Sequence, residues 1–252
     1  MRKICWIIGA SSGIGEALTN KLYEENYDLV ISARSLDRLE LIKENLLSKN
    51  HNLGKILVDQ LDVSNRDSLQ KTLEKTIEEF QKIDLVIFCS ALYKPMSATD
   101  FDLELSKKII DVNLVGALNL LHLIVPQMTK QKSGHIAFIA SVAGYCGLPK
   151  SFAYGASKAA LINLCEGIYP ELKLNGIDLS VINPGFVKTP LTDQNNFKMP
   201  FLISSKEAAD VIFQGLMKKK FEIHFPKKFT FFLKILRLLP YKIFFFITKK
   251  LI

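Results

Sequence analysis

The chain is predicted to be α/β, a doubly wound parallel sheet of seven strands, from three observations. Short runs rich in Val, Ile and Phe alternate with helix-length amphipathic segments from end to end. The short runs are nearly continuous in apolar residues rather than alternating, which suits strands covered by helices on both faces. With 252 residues, 48% of them hydrophobic and 23% charged, the chain is long enough to bury a full core as one domain. In order, residues 3–8, 28–33, 55–57, 85–89, 135–139, 178–182 and 222–225 read as strands, each a β-branched or aromatic run. Residues 14–25, 37–47, 66–80, 103–128, 152–174 and 206–217 between them carry the helical period. This βαβ repetition calls for right-handed crossovers. The domain is expected to span residues 1–226, and residues 227–252 read as a basic, hydrophobic helical extension.

Composition excludes several classes. With 13 Gly, 9 Pro and an ordinary apolar content, the chain is neither collagen-like nor disordered. Cys5, Cys89, Cys146 and Cys165 are far apart and form no CxxC pair, so they read as reduced thiols of a cytosolic protein and not as a disulfide framework. No metal site is expected. The net charge of +8 is lopsided: residues 218–252 hold ten Lys/Arg against one acid, Glu222, and leave the body close to neutral. A nucleic-acid-binding body carries its basic stripe on the folded surface, so no nucleic acid is expected as a partner. The apolar run after Met1-Arg2-Lys3 covers only residues 4–8, short of the roughly 7 to 15 residues of a secretory leader. Lys234, Arg237, Pro240 and Lys242 interrupt the C-terminal apolar run before it reaches the roughly 18 residues that suggest a spanning helix. A cytoplasmic location is the expectation.

Directly after the first strand stands Gly9-Ala10-Ser11-Ser12-Gly13-Ile14-Gly15, which then opens a helix. Glycines there permit a tight turn and a close approach of pyrophosphate to the backbone, while the helix N-terminus offers free N–H groups. A purely structural turn is the alternative. The second strand ends at Ala33-Arg34-Ser35, where an NAD site places a carboxylate for the ribose 2′-hydroxyl. A guanidinium at Arg34 instead favours NADP(H) over NAD(H), because it can pair with the 2′-phosphate; otherwise it merely solvates a loop. Asp62-Val63, after the third strand, offers a carboxylate to the adenine amino group, or else Asp62 caps a helix.

Tyr154 and Lys158 lie four residues apart at the start of a long helix, so phenol and ammonium share one face. A Lys charge beside a phenol favours the phenolate and suits the Tyr to acid–base work on a carbonyl or alcohol. Taken with the glycine turn, the chain resembles the short-chain dehydrogenase/reductase family over about residues 3–225, and the glycine pattern, an Asn, a Ser, YxxxK and a Pro-Gly turn follow in the family's order. The resemblance implies a Rossmann-type sheet and hydride transfer between nicotinamide and a carbonyl or alcohol carbon. It places the catalytic groups at Asn113, Ser141, Tyr154 and Lys158. Tyr154 would be the proton donor, Ser141 would hold the substrate oxygen, Lys158 would bind the ribose and lower the Tyr154 pKa, and Asn113 would hold a relay water. Standing alone, Asn113 reads equally as a helix-kink residue and Ser141 as a strand-end cap. The resemblance also implies cofactor contacts at Gly9, Ser11, Ser12, Gly13, Ile14, Gly15, Arg34, Asp62, Val63, Ala91, Asn113, Tyr154 and Lys158. To these it adds the segment after Asn183, with Pro184, Gly185, Val187 and Thr189. Two departures fall together: Ile8 replaces the family's Thr, and Phe88-Cys89-Ser90-Ala91 replaces its Asn-rich turn, which suggests apolar packing in place of a polar network.

The segments after residue 226 are rich in Phe, Leu and Ile and divided by Pro240, with Lys227, Lys234, Arg237 and Tyr241 falling on one side of the first. A basic amphipathic helix can lie in the headgroup boundary of an anionic membrane; the alternatives are packing on a second subunit or on the domain. Phe197, Met199, Pro200, Phe201, Leu202 and Ile203 make the loop 189–204 apolar, and with Leu148 and Pro149 they point to a lipophilic carbonyl or alcohol substrate. The leading expectation is therefore an NADP(H)-dependent oxidoreductase, peripheral to a membrane and assembled as a homo-dimer or tetramer. The rivals are a 3-oxoacyl-thioester reductase, a non-catalytic NADP(H)-sensing protein and a membrane scaffold.

Overall fold

The structure, a computed structural model, describes residues 2–49 and 54–251. Seven parallel strands form one sheet in the order β3-β2-β1-β4-β5-β6-β7. They are β1 (Ile4–Ile8), β2 (Asp28–Ala33), β3 (Ile56–Gln60), β4 (Leu85–Phe88), β5 (Gly134–Ile139), β6 (Ile177–Pro184) and β7 (Glu222–Phe225). The chain winds outward from β1 in one direction and then, from β4, in the other. That reversal leaves a crevice at the carboxyl ends of β1 and β4, where Ile8 pairs with Phe88.

Alternate strand residues face opposite layers, and both layers are covered. Ile7, Ile31, Ile87 and Ile182 join a core with Leu18 and Leu22 of α1 (Gly13–Glu24), Leu39 of α2 (Leu36–Lys49) and Ile212 of α7 (Ser205–Met217). On the other face Trp6, Ile8, Val86, Phe88 and Phe138 pack with Leu69 of α3 (Arg66–Phe80), Ile124 of α5 (Gly116–Gln131) and Leu161 of α6 (Phe152–Leu174). Burial on both sides is the physical reason the strand runs are continuous in apolar residues. Ile8 and Phe88, the two departures noted above, are both fully buried in this second core, where apolar contact takes the place a polar pair would have.

The structure shifts several expected boundaries. β3 runs to Gln60 and β6 to Pro184, both longer than their apolar runs, because ladder hydrogen bonding to β2 and β7 carries the polar residues along. The single helix expected over 103–128 is α4 (Leu103–Ile110), a π turn (Asp111–Val115) and α5. The run 103–131 is long and apolar enough to cross a membrane by length and composition. Leu120, Ile124 and Met128 nonetheless bury one side of it against the sheet.

The C-terminal segment forms α8 (Lys227–Leu238) and α9 (Tyr241–Thr248). Leu233, Leu236 and Phe244 are buried against Val142 and Cys146 of the body. At about 1.5–3 kcal/mol for each such side chain, this contact seats the hairpin firmly on the domain. Lys234, expected on the polar face, points inward to Glu222, while Phe231, Phe232, Ile235 and Leu238 are exposed.

Candidate active site

The glycine turn lies at the sheet's crevice under tight steric limits. Gly9 has φ +89°, and a Cβ there would stand 2.6 Å from the Ser90 backbone nitrogen. A Cβ on Gly15 would stand 2.1 Å from the Gly9 carbonyl oxygen, so α1 starts as close to β1 as a backbone allows. The turn opens onto a cleft of about 360 Å³ that runs along the carboxyl edge of the sheet. Ser11, Ser12, Gly13 and Ile14 line it together with Arg34, Asp62 and Val63 from the ends of β2 and β3, and Ala91 from the loop after β4. Ser141, Tyr154 and Lys158 line it as well, with Pro184, Gly185, Val187 and Thr189. The long shape, the bare backbone at the glycines and the cation at one end fit a dinucleotide.

Every residue expected from sequence lines this cleft except one. Asn113 is fully buried behind it, and Val112 takes the lining position. Its Oδ1 accepts from the Leu92 N–H at 2.7 Å, and its amide nitrogen donates to the Leu92 carbonyl and to Ser157 Oγ, both at 3.0 Å. With both N–H groups committed, this side chain pins the β4 loop to α6, and the geometry favours the kink reading at the centre of the π turn. Asp62 is not a helix cap. It accepts from the Ser64 N–H and hydroxyl, whereas Asn65 caps α3. Its carboxyl is held below the ordinary Asp value, first by that hydroxyl and, against opposing burial, by the Ser64 backbone, Arg34 and Lys108.

Ser141 ends the segment after β5 and caps the 3-10 turn Val142–Gly144, its Oγ accepting from the Ala143 N–H at 3.1 Å. Lys158 is 1% exposed, and its ammonium donates to the Ile139 carbonyl at 2.8 Å. It lies over the Tyr154 ring, 5.6 Å from its centroid. The expected lowering of the Tyr154 pKa is accordingly not what this arrangement gives. Burial pushes the phenol up to about 12, and the hydrogen bond with Ser141 offsets only part of that. Burial also pulls the Lys158 ammonium down to about 8.

The short chain dehydrogenase family model matches residues 3–199. The chain belongs to the short-chain dehydrogenase/reductase family. An uncharacterized oxidoreductase of Myxococcus xanthus is 30% identical over 238 residues, covering 94% of this chain and 93% of that protein. Among solved structures, the alcohol dehydrogenase from the archaeon Thermococcus sibiricus complexed with 5-hydroxy-NADP is similar at 26% identity and a TM-score of 0.80, covering 89% of this chain and 96% of the other. A short-chain dehydrogenase/reductase from Burkholderia phymatum in complex with NAD shares the fold at 23% identity and a TM-score of 0.80, with 88% of each chain covered. The chain is thus an oxidoreductase of this family with a nicotinamide cofactor.

The structure of this dehydrogenase adds residues that sequence reasoning missed. Arg38, in the first turn of α2, lines the cleft together with Arg34; its spacing of four from Arg34 was the available signal. Tyr93 sets its ring edge-on to Tyr154 with centroids 4.8 Å apart and donates to Asn195 Oδ1 at 2.7 Å. Nothing in the local sequence marks Tyr93, since the contact joins the β4 loop to α6.

The Lys158 environment predicts a pH signature in stability. Its folded pKa lies below the ordinary 10.5, so the unfolded chain binds the extra proton between about pH 8 and 10.5, and the folded state gains stability as pH rises through that window. A Lys158→Met variant has no such proton. Urea unfolding is expected to show the stability of wild type rising relative to the variant by about 2–3 kcal/mol between pH 7 and pH 10. A constant difference would contradict a buried, destabilised ammonium.

Proposed function

We propose that the protein is an NADP(H)-dependent reductase of lipophilic carbonyl compounds, acting on C=O in one direction and CH–OH in the other. The observation that carries this reading is the single cleft in which the glycine turn and two guanidinium groups stand at one end and Ser141, Tyr154 and Lys158 at the other. A nicotinamide cofactor held along this cleft would supply the hydride that the carbonyl carbon takes up. Tyr154 donates its phenolic proton to the carbonyl oxygen, completing the alcohol, and a phenol held near 12 suits donation better than abstraction at neutral pH. Ser141 donates a hydrogen bond to the same oxygen as negative charge develops on it. Lys158 would hold the ribose hydroxyls of a bound cofactor. Asn113 acts by fixing Leu92 and Ser157 around this centre.

Replacing Tyr154 with Phe is expected to abolish turnover measured at 340 nm against a panel of diketones and long-chain and steroidal ketones, while NADPH binding persists. A variant that keeps full turnover overturns the proton-donor assignment. Wild-type silence across the panel despite tight NADPH binding would favour the sensing protein.

The preference for NADP(H) rests on Arg34 and Arg38, neither of which enters an ion pair among the described residues. A 2′-phosphate would give them their counter-charge. Arg34→Ala is expected to weaken NADPH binding by about 10- to 100-fold, with NADH little affected. An unchanged NADPH to NADH ratio would remove the 2′-phosphate assignment.

A lipophilic substrate is supported by the loop after Thr189, where Phe197, Phe201 and Leu202 are exposed. Phe186 joins this loop to α8, with ring centroids 5.9 Å from Phe197 and 5.6 Å from Phe229. The outer face of the hairpin supports peripheral attachment to an anionic membrane at its cytoplasmic side. Phe231, Phe232, Leu238, Tyr241, Phe245 and Phe246 are each more than half exposed, and residues 227–252 include seven Lys/Arg and no acid. Apolar insertion and charge attraction add on such a face. Because the inner face is part of the core, the test is substitution and not truncation. Phe231→Ser with Phe232→Ser is expected to abolish co-sedimentation with phosphatidylserine vesicles while leaving the melting temperature unchanged. Undiminished sedimentation would discard the membrane reading. Assembly as a homo-dimer or tetramer is supported by the exposed Val115 and Leu118 near and on α5.

A further inference from the structure

A second polar cluster, separate from the cleft, joins the C-terminal helix to the reaction centre. Glu222, on β7, accepts through Oε1 from the Tyr145 hydroxyl at 2.7 Å and from the Asn183 amide at 3.0 Å. Its other oxygen pairs with the Lys234 ammonium of α8. Lys234 Nζ also stands 5.3 Å from the Tyr145 ring centroid. One carboxylate thus gathers donors from three elements that are distant in sequence.

Two of those donors lie directly behind the reacting groups. Tyr145 closes the turn that Ser141 opens, with its N–H on the Val142 carbonyl at 3.1 Å and the Gly144 N–H on the Ser141 carbonyl at 2.9 Å. Asn183 precedes Pro184-Gly185, and the Gly185 N–H reaches the Phe225 carbonyl, on the strand that carries Glu222, at 2.7 Å. The spacing between the Ser141 segment and the Pro184-Gly185 turn is therefore set across Glu222. The Asn183 amide has little else to orient it, because its Oδ1 is buried with no hydrogen-bond partner among the described residues.

The chemistry of the cluster is that of a maintained carboxylate. Burial opposes ionisation of Glu222, but Lys234, Tyr145 and Asn183 outweigh it and hold the carboxyl below the ordinary Glu value. Burial, reinforced by the Glu222 charge, pushes the Tyr145 phenol far up, so it remains a donor. Losing any one partner leaves partly buried polar groups short of a partner, which is costly at such a site. Glu222 and Lys234 both lie beyond residue 199, where the family match ends, so this support is supplied by the C-terminal part of the chain.

We propose that Glu222 is a positioning residue of the reaction centre, held by Lys234 of the C-terminal helix and setting the Ser141 turn against the Pro184-Gly185 turn. The inference rests on the roles given above to those two segments. The phosphate end of the cleft, at the glycine turn and Arg34, lies outside this network and is unaffected by it.

The test uses the full chain with Glu222→Gln, Lys234→Met and Lys234→Arg, counting active sites by NADPH fluorescence titration and measuring turnover on a ketone that wild type reduces. Glu222→Gln and Lys234→Met are expected to lose about 10- to 100-fold in kcat per NADPH-binding site, with NADPH affinity retained, and Lys234→Arg to recover most of the loss. A purely structural role would lower the number of binding sites and leave kcat per site intact, and that result overturns the proposal. So does Lys234→Arg behaving like Lys234→Met. Should Glu222→Gln fail to fold, the partly exposed Lys234 pair decides the matter alone. Should wild type reduce no ketone, the reductase reading fails separately, and the emission of bound NADPH becomes the readout. Glu222→Gln is then expected to lose the fluorescence enhancement of the bound nicotinamide, and unchanged emission overturns the inference.

Discussion

The close approach of backbone to backbone at the end of β1 is the constraint on which the site depends. Gly15 meets the Gly9 carbonyl and Gly9 meets Ser90 at separations that admit no side chain. Because β1 sits between β2 and β4, these contacts bring the first helix and the β4 loop together over one crevice. A parallel sheet sends the carboxyl ends of all its strands to the same edge. Once the crevice is set, the loops after β2, β3, β5 and β6 are obliged to line it. Arg34, Asp62, Ser141 and Pro184, far apart in sequence, therefore share a cleft.

The reaction end of that cleft is organised by buried polar groups with few spare partners. Asn113 ties the β4 loop to α6 through Leu92 and Ser157, and Lys158 ties α6 to the end of β5 through Ile139. Such groups are expensive to bury unless each is satisfied, so the arrangement is stiff. The same burial sets the electrostatics, holding the Tyr154 phenol protonated and weakening the Lys158 ammonium.

The C-terminal hairpin has two faces with different work. Its inner face joins the core through Leu233, Leu236 and Phe244 and reaches Glu222 through Lys234. Its outer face leaves Phe231, Phe232, Tyr241, Phe245 and Phe246 exposed.

The apolar strand runs were enough by themselves to determine the sheet and its doubly wound order of elements, while most of the cleft lining was expected only through the family resemblance that the glycine turn and the YxxxK spacing carry. These signals are local: burial on two faces, backbone clearance at a turn and the i,i+4 face of a helix are each written within a dozen residues. What only the tertiary structure decided involves partners brought together across the fold. Asn113 turned out to sit behind the cleft because a π turn rotates it toward Leu92 and Ser157, and Asp62 gave up helix capping to Asn65. Lys234, partly exposed, turns toward the body because it pairs with the half-buried carboxylate of Glu222 on β7. The pKa of Tyr154 likewise depends on how far burial around the phenol outweighs its neighbours, and sequence spacing carries no measure of burial.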